Sequence, residues 1–242
     1  MSLDFFIAAL AAFILGMSKG GLKGMGILVV TLTALVYGAK NSTGILLPLL
    51  ILGDILAVIY FKKHVKWRYL LQFLPAMIIG VLVAVVVGSS WDEAAFKKWL
   101  SVIILLSVAY MFWSEFRSAR VPAIDWKFSG IVGFGAGFTT MIGNLGGPFA
   151  TLYFLATKLP KTEIVGTSAW VFFLINLFKV PFHVFSWQTI RLDTLWINLT
   201  LSPFVLIGFF AGTRVLSLFN EQGFRWFLLG MTALGAIIIF VK

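Results

Sequence analysis

The chain has no cysteine, only two histidines and only nine acidic residues among its 242 positions. The lack of cysteine excludes disulfides, thiolate metal sites and thiol chemistry. His64 and His183 each fall near the end of an apolar run, an arrangement that argues against a metal centre. No His/Glu/Asp cluster and no neighbouring Ser–His pair supports an intramembrane enzyme. No ATP-binding motif is present, so any transport must draw on an ion or substrate gradient, or on a partner chain. No cofactor is implied. Charge itself is scarce, at 12% of residues, against roughly 25% in soluble domains. The start, Met1-Ser2-Leu3-Asp4, lacks the positive n-region of a signal peptide, so the apolar run from Phe5 reads as part of the mature protein.

What fills the chain is apolar: 60% of residues are hydrophobic. Continuous apolar segments run over 43–61, 69–88, 96–113, 164–185, 194–213 and 224–241. Each has about the length, roughly 20 residues, that crosses a bilayer as a helix. The runs are continuous rather than alternating, which excludes a membrane β-barrel. The expected class is therefore an all-α polytopic membrane protein in the lipid bilayer. Its net charge of +10 comes from basic residues in short loops between spans, which is the positive-inside pattern rather than a nucleic-acid surface.

The chain reads as a duplicated half, with repeat 1 over 1–114, a cytoplasmic linker over 115–127 and repeat 2 over 128–242. Pro75 and Gly80 match Pro203 and Gly208 at an offset of 128. Asp92-Glu93-x-x-Phe96-Lys97 matches Asn220-Glu221-x-x-Phe224-Arg225 at the same offset. Gly44 matches Gly166 at 122, which sets Asp54 on Asn176. Gly16-x3-Gly20 matches Gly133-x3-Gly137 at 117.

Each half holds four hydrophobic regions, and the first of each, at 3–37 and 128–157, is too long for one span and rich in glycine at its middle. Glycine disfavours a helix interior, and Pro148 suits the first turn of a new helix. Each region is therefore predicted to be two half-helices joined by an unwound turn. If each crosses the membrane once, basic residues divide nine against seven between the two faces; if each goes in and returns, they divide eleven against five. The second division fits the positive-inside rule, so the repeats are predicted to be inverted, with both termini outside the cytoplasm.

Polar residues within spans mark pathways or sites. Here they are Lys19, Lys23, Asp54, Thr139, Thr140, Asn144, Thr167, Ser168, Asn176 and Lys179. A half-helix that begins inside the membrane presents unpaired N–H groups and a positive dipole end, which suits an anion. Gly20, Gly21 and Gly24 in the first break, and Gly143, Gly146 and Gly147 in the second, would let a ligand approach the backbone. Lys19 and Lys23 would add positive charge, while Thr and Asn side chains would add neutral hydrogen bonds. A hard oxyanion such as sulfite or a sulfonate fits this inventory. The structural alternatives are glycines that serve close helix packing, lysines that snorkel and Thr167–Ser168 hydroxyls that bond their own helix. Lys179 reads as a snorkelling residue more than as a pathway charge. Asp54 is either a coupling group or the ion-pair partner of a lysine, and the ion pair is favoured. Trp67, Trp91, Trp113, Trp126, Trp187, Trp196 and Trp226 read as interfacial anchors, with Trp99 and Trp170 further in.

The Gly-x3-Gly and glycine-rich turn of half one, Asn144-Leu145-Gly146-Gly147-Pro148, and Gly166-Thr167-Ser168-Ala169…Asn176…Lys179 resemble the sulfite exporter TauE/SafE family of membrane permeases. The resemblance covers essentially the whole chain, although half one has Gly24-Met25-Gly26-Ile27 where half two ends in Gly-Gly-Pro. It implies movement of sulfite, sulfoacetate or related sulfur-containing anions across the bacterial inner membrane. It also implies that Gly143–Pro148 and Thr167–Ser168 line the substrate site. A secondary exporter is the leading expectation; a passive anion channel and an importer of another small organic anion are the alternatives.

Overall fold

A computed structural model describes residues 3–22, 24–92, 94–96, 98–99, 102, 124–220, 223 and 226. Lys23, most of the spans expected at 96–113 and 224–241, and most of the linker expected at 115–127 lie outside the described residues. Among the described residues all regular structure is helical. In chain order the helices are α1 (Leu3–Lys19), α2 (Gly26–Tyr37), α3 (Ala39–Phe61), α4 (Trp67–Ser89), α5 (Trp126–Gly143), α6 (Gly147–Ala156), α7 (Lys161–Pro181) and α8 (Leu192–Leu218). A 3₁₀ turn over Lys62–His64 follows α3, and a π turn over Phe182–Ser186 follows α7.

Four described helical segments are long and apolar enough to cross a membrane: Ala39–His64, Trp67–Ser89, Lys161–Ser186 and Leu192–Leu218. They cover four of the six apolar runs read from the sequence, 43–61, 69–88, 164–185 and 194–213. The two long first regions are broken as expected, α1 from α2 at residues 20–25 and α5 from α6 at 144–146. The breaks have local causes. Gly21 and Gly24 take positive φ, at 127° and 94°, which L side chains rarely adopt. Asn144 takes the left-handed conformation (φ 57°, ψ 27°) and its N–H returns to the Thr139 and Thr140 carbonyls, ending α5 with a cap that Asn tolerates. Pro148, in the first turn of α6, then starts the next helix.

The exterior is apolar. Leu3, Phe6, Val86, Ile131, Leu199 and Leu218 are each more than 60% exposed, a surface that lipid solvates and water does not. Inside, Phe73 stacks on Tyr153 with centroids 4.3 Å apart, and Ile175, Met77 and Phe154 are buried around that pair. Trp67, Trp126, Trp196 and Trp226 are exposed at helix ends, as anchors should be. Two tryptophans depart from expectation. Trp187 is buried and donates its Nε1–H to the Val85 carbonyl at 3.3 Å, while Trp99 is 46% exposed.

Two glycine-lined crossings hold the broken helices in place. α1 packs on α8 and α5 packs on α4. At the first crossing Gly16 faces the backbone of Val205 and Phe209, and Gly208 faces that of Phe13. At the second, Gly137 faces the backbone of Met77, and Gly80 faces that of Phe134 and Phe138. Lipid provides no hydrophobic drive between helices, so close backbone approach at small residues supplies the attraction. Gly16 and Gly137 thus make the same kind of contact 121 residues apart, whereas the sequence reading pairs Gly16 with Gly133 at 117. The matched Gly-x3-Gly pairs are Gly16/Gly20 and Gly133/Gly137, so a slip of one turn still lays one glycine on another.

The ends of the bundle are fixed by loop contacts. The Lys66 ammonium pairs with Glu163 at 2.9 Å, which sets the end of α3 beside the start of α7. At the other end, Gly44 near the start of α3 lies against Thr189, just past α7. α3 and α7 thus run antiparallel. The Lys161 ammonium bonds the Phe219 carbonyl, so α8 finishes at the end where α4 begins.

A Cβ on Gly137 would overlap the Met77 carbonyl, whereas one on Gly130 would meet nothing within 4 Å. Gly137→Ala is expected to cost about 2 kcal/mol through overpacking. Gly130→Ala is expected to be neutral or to stabilise by up to about 1 kcal/mol through helix propensity. Thermal unfolding midpoints of the two purified variants in detergent check the contrast; equal midpoints would refute the crossing.

Candidate functional site

The two breaks and the middle of α3 and α7 enclose a cavity of about 90 Å³. One water needs roughly 10–15 Å³ of such space, so the cavity has room for a small polyatomic ion. Lys19 from the end of α1, Asp54 from α3, Thr140 and Asn144 from the second break, and Ser168 and Asn176 from α7 give its wall polar atoms. Gly24, Gly26 and Gly147 give it backbone. Phe154, Leu155, Ile164 and Val165 form an apolar wall that extends toward the end of the bundle holding Lys66 and Glu163.

A continuous chain of hydrogen bonds runs through this wall. The Lys19 ammonium donates to Asp54 Oδ1 at 2.6 Å. Asn176 Nδ2 donates to Asp54 Oδ2 at 2.7 Å. The Lys179 ammonium donates to Asn176 Oδ1 at 3.2 Å, to Asn144 Oδ1 at 2.6 Å and to Thr140 Oγ1 at 3.3 Å. Asn144 Nδ2 donates to the Thr43 carbonyl at 3.1 Å. Asp54, Asn176 and Lys179 are essentially inaccessible to solvent. A buried charge is tolerated when it is paired and fully hydrogen-bonded. Lys19 reaches the site along Gly53, whose missing side chain leaves room for the lysine stem, and its ammonium lies 5.2 Å from the centre of the Phe172 ring. When Lys19, Asp54 and Lys179 are all ionised, these three leave one net positive charge beside the cavity.

The two second half-helices start at the cavity. α2 begins at Gly26 and α6 at Gly147, and both glycines line it. The first-turn N–H groups of a helix have no partner within it. A Cβ on either glycine would meet no described atom within 4 Å, so each has room on its side-chain face.

The cavity thus gathers Lys19, Gly24, Asp54, Thr140, Asn144, Gly147, Ser168 and Asn176 from the residues singled out in the sequence. Six others are placed elsewhere. Gly20 faces the Phe209 carbonyl and the Thr213 amide of α8, and Gly21 faces Leu216, so both serve the helix crossing. Gly143 is buried at the end of α5, behind the break. Gly146 fits beneath the Ala136 carbonyl and the Phe172 ring. Thr139 turns its hydroxyl to the Gly135 and Leu145 carbonyls and braces the break from behind. Thr167 accepts the Lys66 N–H at 2.9 Å on the far side of α7. Residues on adjacent helical positions point about 100° apart, which turns Thr167 to the Lys66 loop while Ser168 lines the cavity. Ser168 also bonds its own helix carbonyls, Ile164 O at 2.5 Å and Val165 O at 3.0 Å.

Lys179 corrects the snorkelling expectation: it is fully buried and turned inward. His183, expected near a span end, is fully buried as well. The sequence signal for Lys179 is its spacing, three residues after Asn176 on one helix face.

Residues 7–239 match the family described as Sulfite exporter TauE/SafE. No curated protein and no solved structure matches the chain. The match spans nearly the whole sequence and agrees with the broken apolar helices and the cationic cavity. The chain belongs to the sulfite exporter TauE/SafE family, a family of membrane transporters of sulfite and related sulfur-containing anions.

Proposed function

We propose that this protein is a secondary exporter that carries a small sulfur-containing anion, sulfite or an organosulfonate, across the bacterial inner membrane. The anion binds between the two helix breaks. Its oxygens accept from the first-turn amides of α2 and α6, at Gly26 and Gly147, and it lies against Lys19, Asn144, Asn176 and Ser168. The observation that carries this reading is that two helix N-termini, at Gly26 and Gly147, and a lysine, Lys19, line one cavity between the two breaks. Asp54 holds Lys19 and Asn176 in place as their common acceptor.

The architecture behind the site is a pair of inverted repeats in a multi-pass protein. Support comes from the antiparallel course of α3 and α7, which hold the same place in each half, and from the swapped pairing of α1 with α8 and of α5 with α4. Asp54 and Asn176, which match at an offset of 122, are in direct contact. They therefore lie beside the axis that relates the halves. The end that carries Lys62, Lys63, Lys66, Arg68, Lys158 and Lys161 is the cytoplasmic one under the positive-inside rule. The cavity extends toward that end, which suits loading from the cytoplasm and hence export.

Two outcomes follow. Gly147→Ala adds one methyl group to the space meant for the anion without touching protein. It is expected to keep the wild-type unfolding midpoint and to lower transport of labelled sulfite in oriented proteoliposomes by about tenfold or more; undiminished transport would remove the amides from the binding site. Lys19→Met leaves the Asp54 carboxylate buried without this partner, and breaking such a pair costs about 3–5 kcal/mol. Lys19→Met with Asp54→Asn should recover most of that stability while transport stays lost. Saturation and counterflow in the same vesicles separate a carrier from a passive channel, and a double variant that transports normally would refute the role of Lys19.

A further inference from the structure

We propose that Lys179 and His183 form a proton-binding pair behind the cavity, and that their proton exchanges with the far end of α7 through Thr189, so that anion and proton cross together. The proposal rests on the transport reading above. It concerns two buried titratable groups that the anion site does not touch.

The first is Lys179. Its three partners are all acceptors, and their orientation is fixed from outside. Asn176 spends its NH₂ on Asp54 and Asn144 spends its NH₂ on the Thr43 carbonyl, so each turns an amide oxygen toward the lysine. With the Thr140 hydroxyl as third acceptor, all three N–H groups of an ammonium are used. The geometry is that of a charged lysine whose direct partners are neutral.

The second is His183, one helical turn further along α7. It is fully buried; its Nδ1 lies 2.8 Å from Thr189 Oγ1 and its Nε2 has no partner among the described residues. A buried imidazole nitrogen without a partner calls for a function or a small guest. The backbone around it is irregular. The π turn at Phe182–Ser186 carries the ring, and the Thr189 and Ile190 amides both donate to the His183 carbonyl, folding the following loop over it. π turns recur at functional sites. Trp187 closes one side, with ring centroids 5.3 Å apart.

The charged group facing this histidine is Lys179 on its own helix. Lys19 on α1 and Asp54 on α3 lie one step beyond, across Asn176. α5 and the break after it offer the neutral Thr140 and Asn144. Two described cations at the same end of the bundle are engaged elsewhere: Lys40 donates to the Trp91 carbonyl, and Arg191 forks onto Asp193.

Along α7 the order is Ser168 and Asn176 at the cavity, then Lys179, then His183, then the loop with Thr189. At about 1.5 Å per residue, His183 lies roughly 10 Å beyond Asn176, away from the cavity mouth. In the tautomer with hydrogen on Nδ1, the Lys179 ammonium turns one N–H from its present acceptors to Nε2 and gives up that proton, Nδ1 gives its own to Thr189 Oγ1, and the threonine hydroxyl, itself buried, releases one to a water that enters the loop. Lys179 ends as a neutral amine and the ring regains its starting proton count. An anion beside Asp54 keeps the proton on Lys179 by attraction; its departure lets the proton go.

The test needs no substrate at first. Proteoliposomes adsorbed on a solid-supported membrane receive a pH jump, and the charge displaced as a buried group protonates is recorded. Wild-type protein should give a transient that is about tenfold smaller in His183→Gln, as loss of a membrane-buried titrating group requires. It should be unchanged in His64→Gln, which alters the only other histidine, an exposed one. Thr189→Val, nearly isosteric, should slow the transient and guards against a His183 variant that fails to fold. Absence of the transient in wild type, or its persistence in both His183→Gln and Thr189→Val, would overturn the proposal. Adding methanesulfonate, which brings no proton near neutral pH, should shift the pH midpoint of the transient upward. A transient that ignores methanesulfonate, while labelled methanesulfonate still crosses, would overturn the coupling. Failure of labelled anions to cross at all strikes the transport reading instead, and the substrate-free transient then decides whether the proton pair exists.

Discussion

The charged and amide side chains around the cavity depend on one hydrogen-bonded chain, Lys19–Asp54–Asn176–Lys179–Asn144. A helix in lipid has no water to which a stray polar group can turn, so each such group must be satisfied by another. The chain meets that demand while tying α1, α3, α5 and α7 to each other. Because every amide in it has a defined donor side and acceptor side, the direction of each Asn is set by its neighbours. Replacing one member reorients or orphans the next, so these side chains act as a unit, and single substitutions should not add simply.

The glycines divide by what stands in front of them. Gly16, Gly20, Gly80, Gly137, Gly208 and Gly212 face backbone atoms of another helix, and a Cβ there would collide. A Cβ on Gly26 or Gly147 would meet no described atom within 4 Å, and both line the cavity. The first group brings helices close enough for dispersion to hold them in lipid; the second keeps side chains out of the cavity. One residue type thus does opposite jobs a few positions apart, and the first job supports the second. The two crossings hold α1 and α5, the helices whose C-terminal ends lead into the breaks.

The helical class, the four long spans and both breaks are legible in the sequence because they follow from local rules: apolar length, glycine with positive φ, Asn before Gly-Gly-Pro. The residues lining the cavity are legible only in part. Thr167 beside Ser168, and Gly20 beside Lys19, have the same local chemistry as the residues that line it. Facing is decided by helix rotation, which a short polar cluster does not encode. The glycine offset slips by one turn for a related reason: a four-residue repeat cannot report its own register. Lys179 and His183 look interfacial in the sequence because they come late in an apolar run, but α7 extends through Pro181 into a π turn, which carries both residues deeper than a count from the run's end suggests.

The contact between Asp54 and Asn176 explains a difference between the proposed repeats. In a symmetric duplication the two positions would carry the same residue, and at the axis each would meet its own copy. Two aspartates at hydrogen-bonding distance could not both stay ionised. Two asparagines would satisfy each other but leave Lys19 without this carboxylate. An aspartate facing an asparagine gives one acceptor pair and one donor: the carboxylate takes Lys19 on one oxygen and the amide on the other, and the amide oxygen remains for Lys179. At the offset fixed by the helix crossings, Lys19 likewise matches neutral Thr140 rather than a second lysine. In the proposed duplication, breaking the symmetry at its axis lets two cations and one carboxylate share a small apolar-walled space, and with all three ionised one net positive charge is left beside the cavity, which the proposed anion would balance.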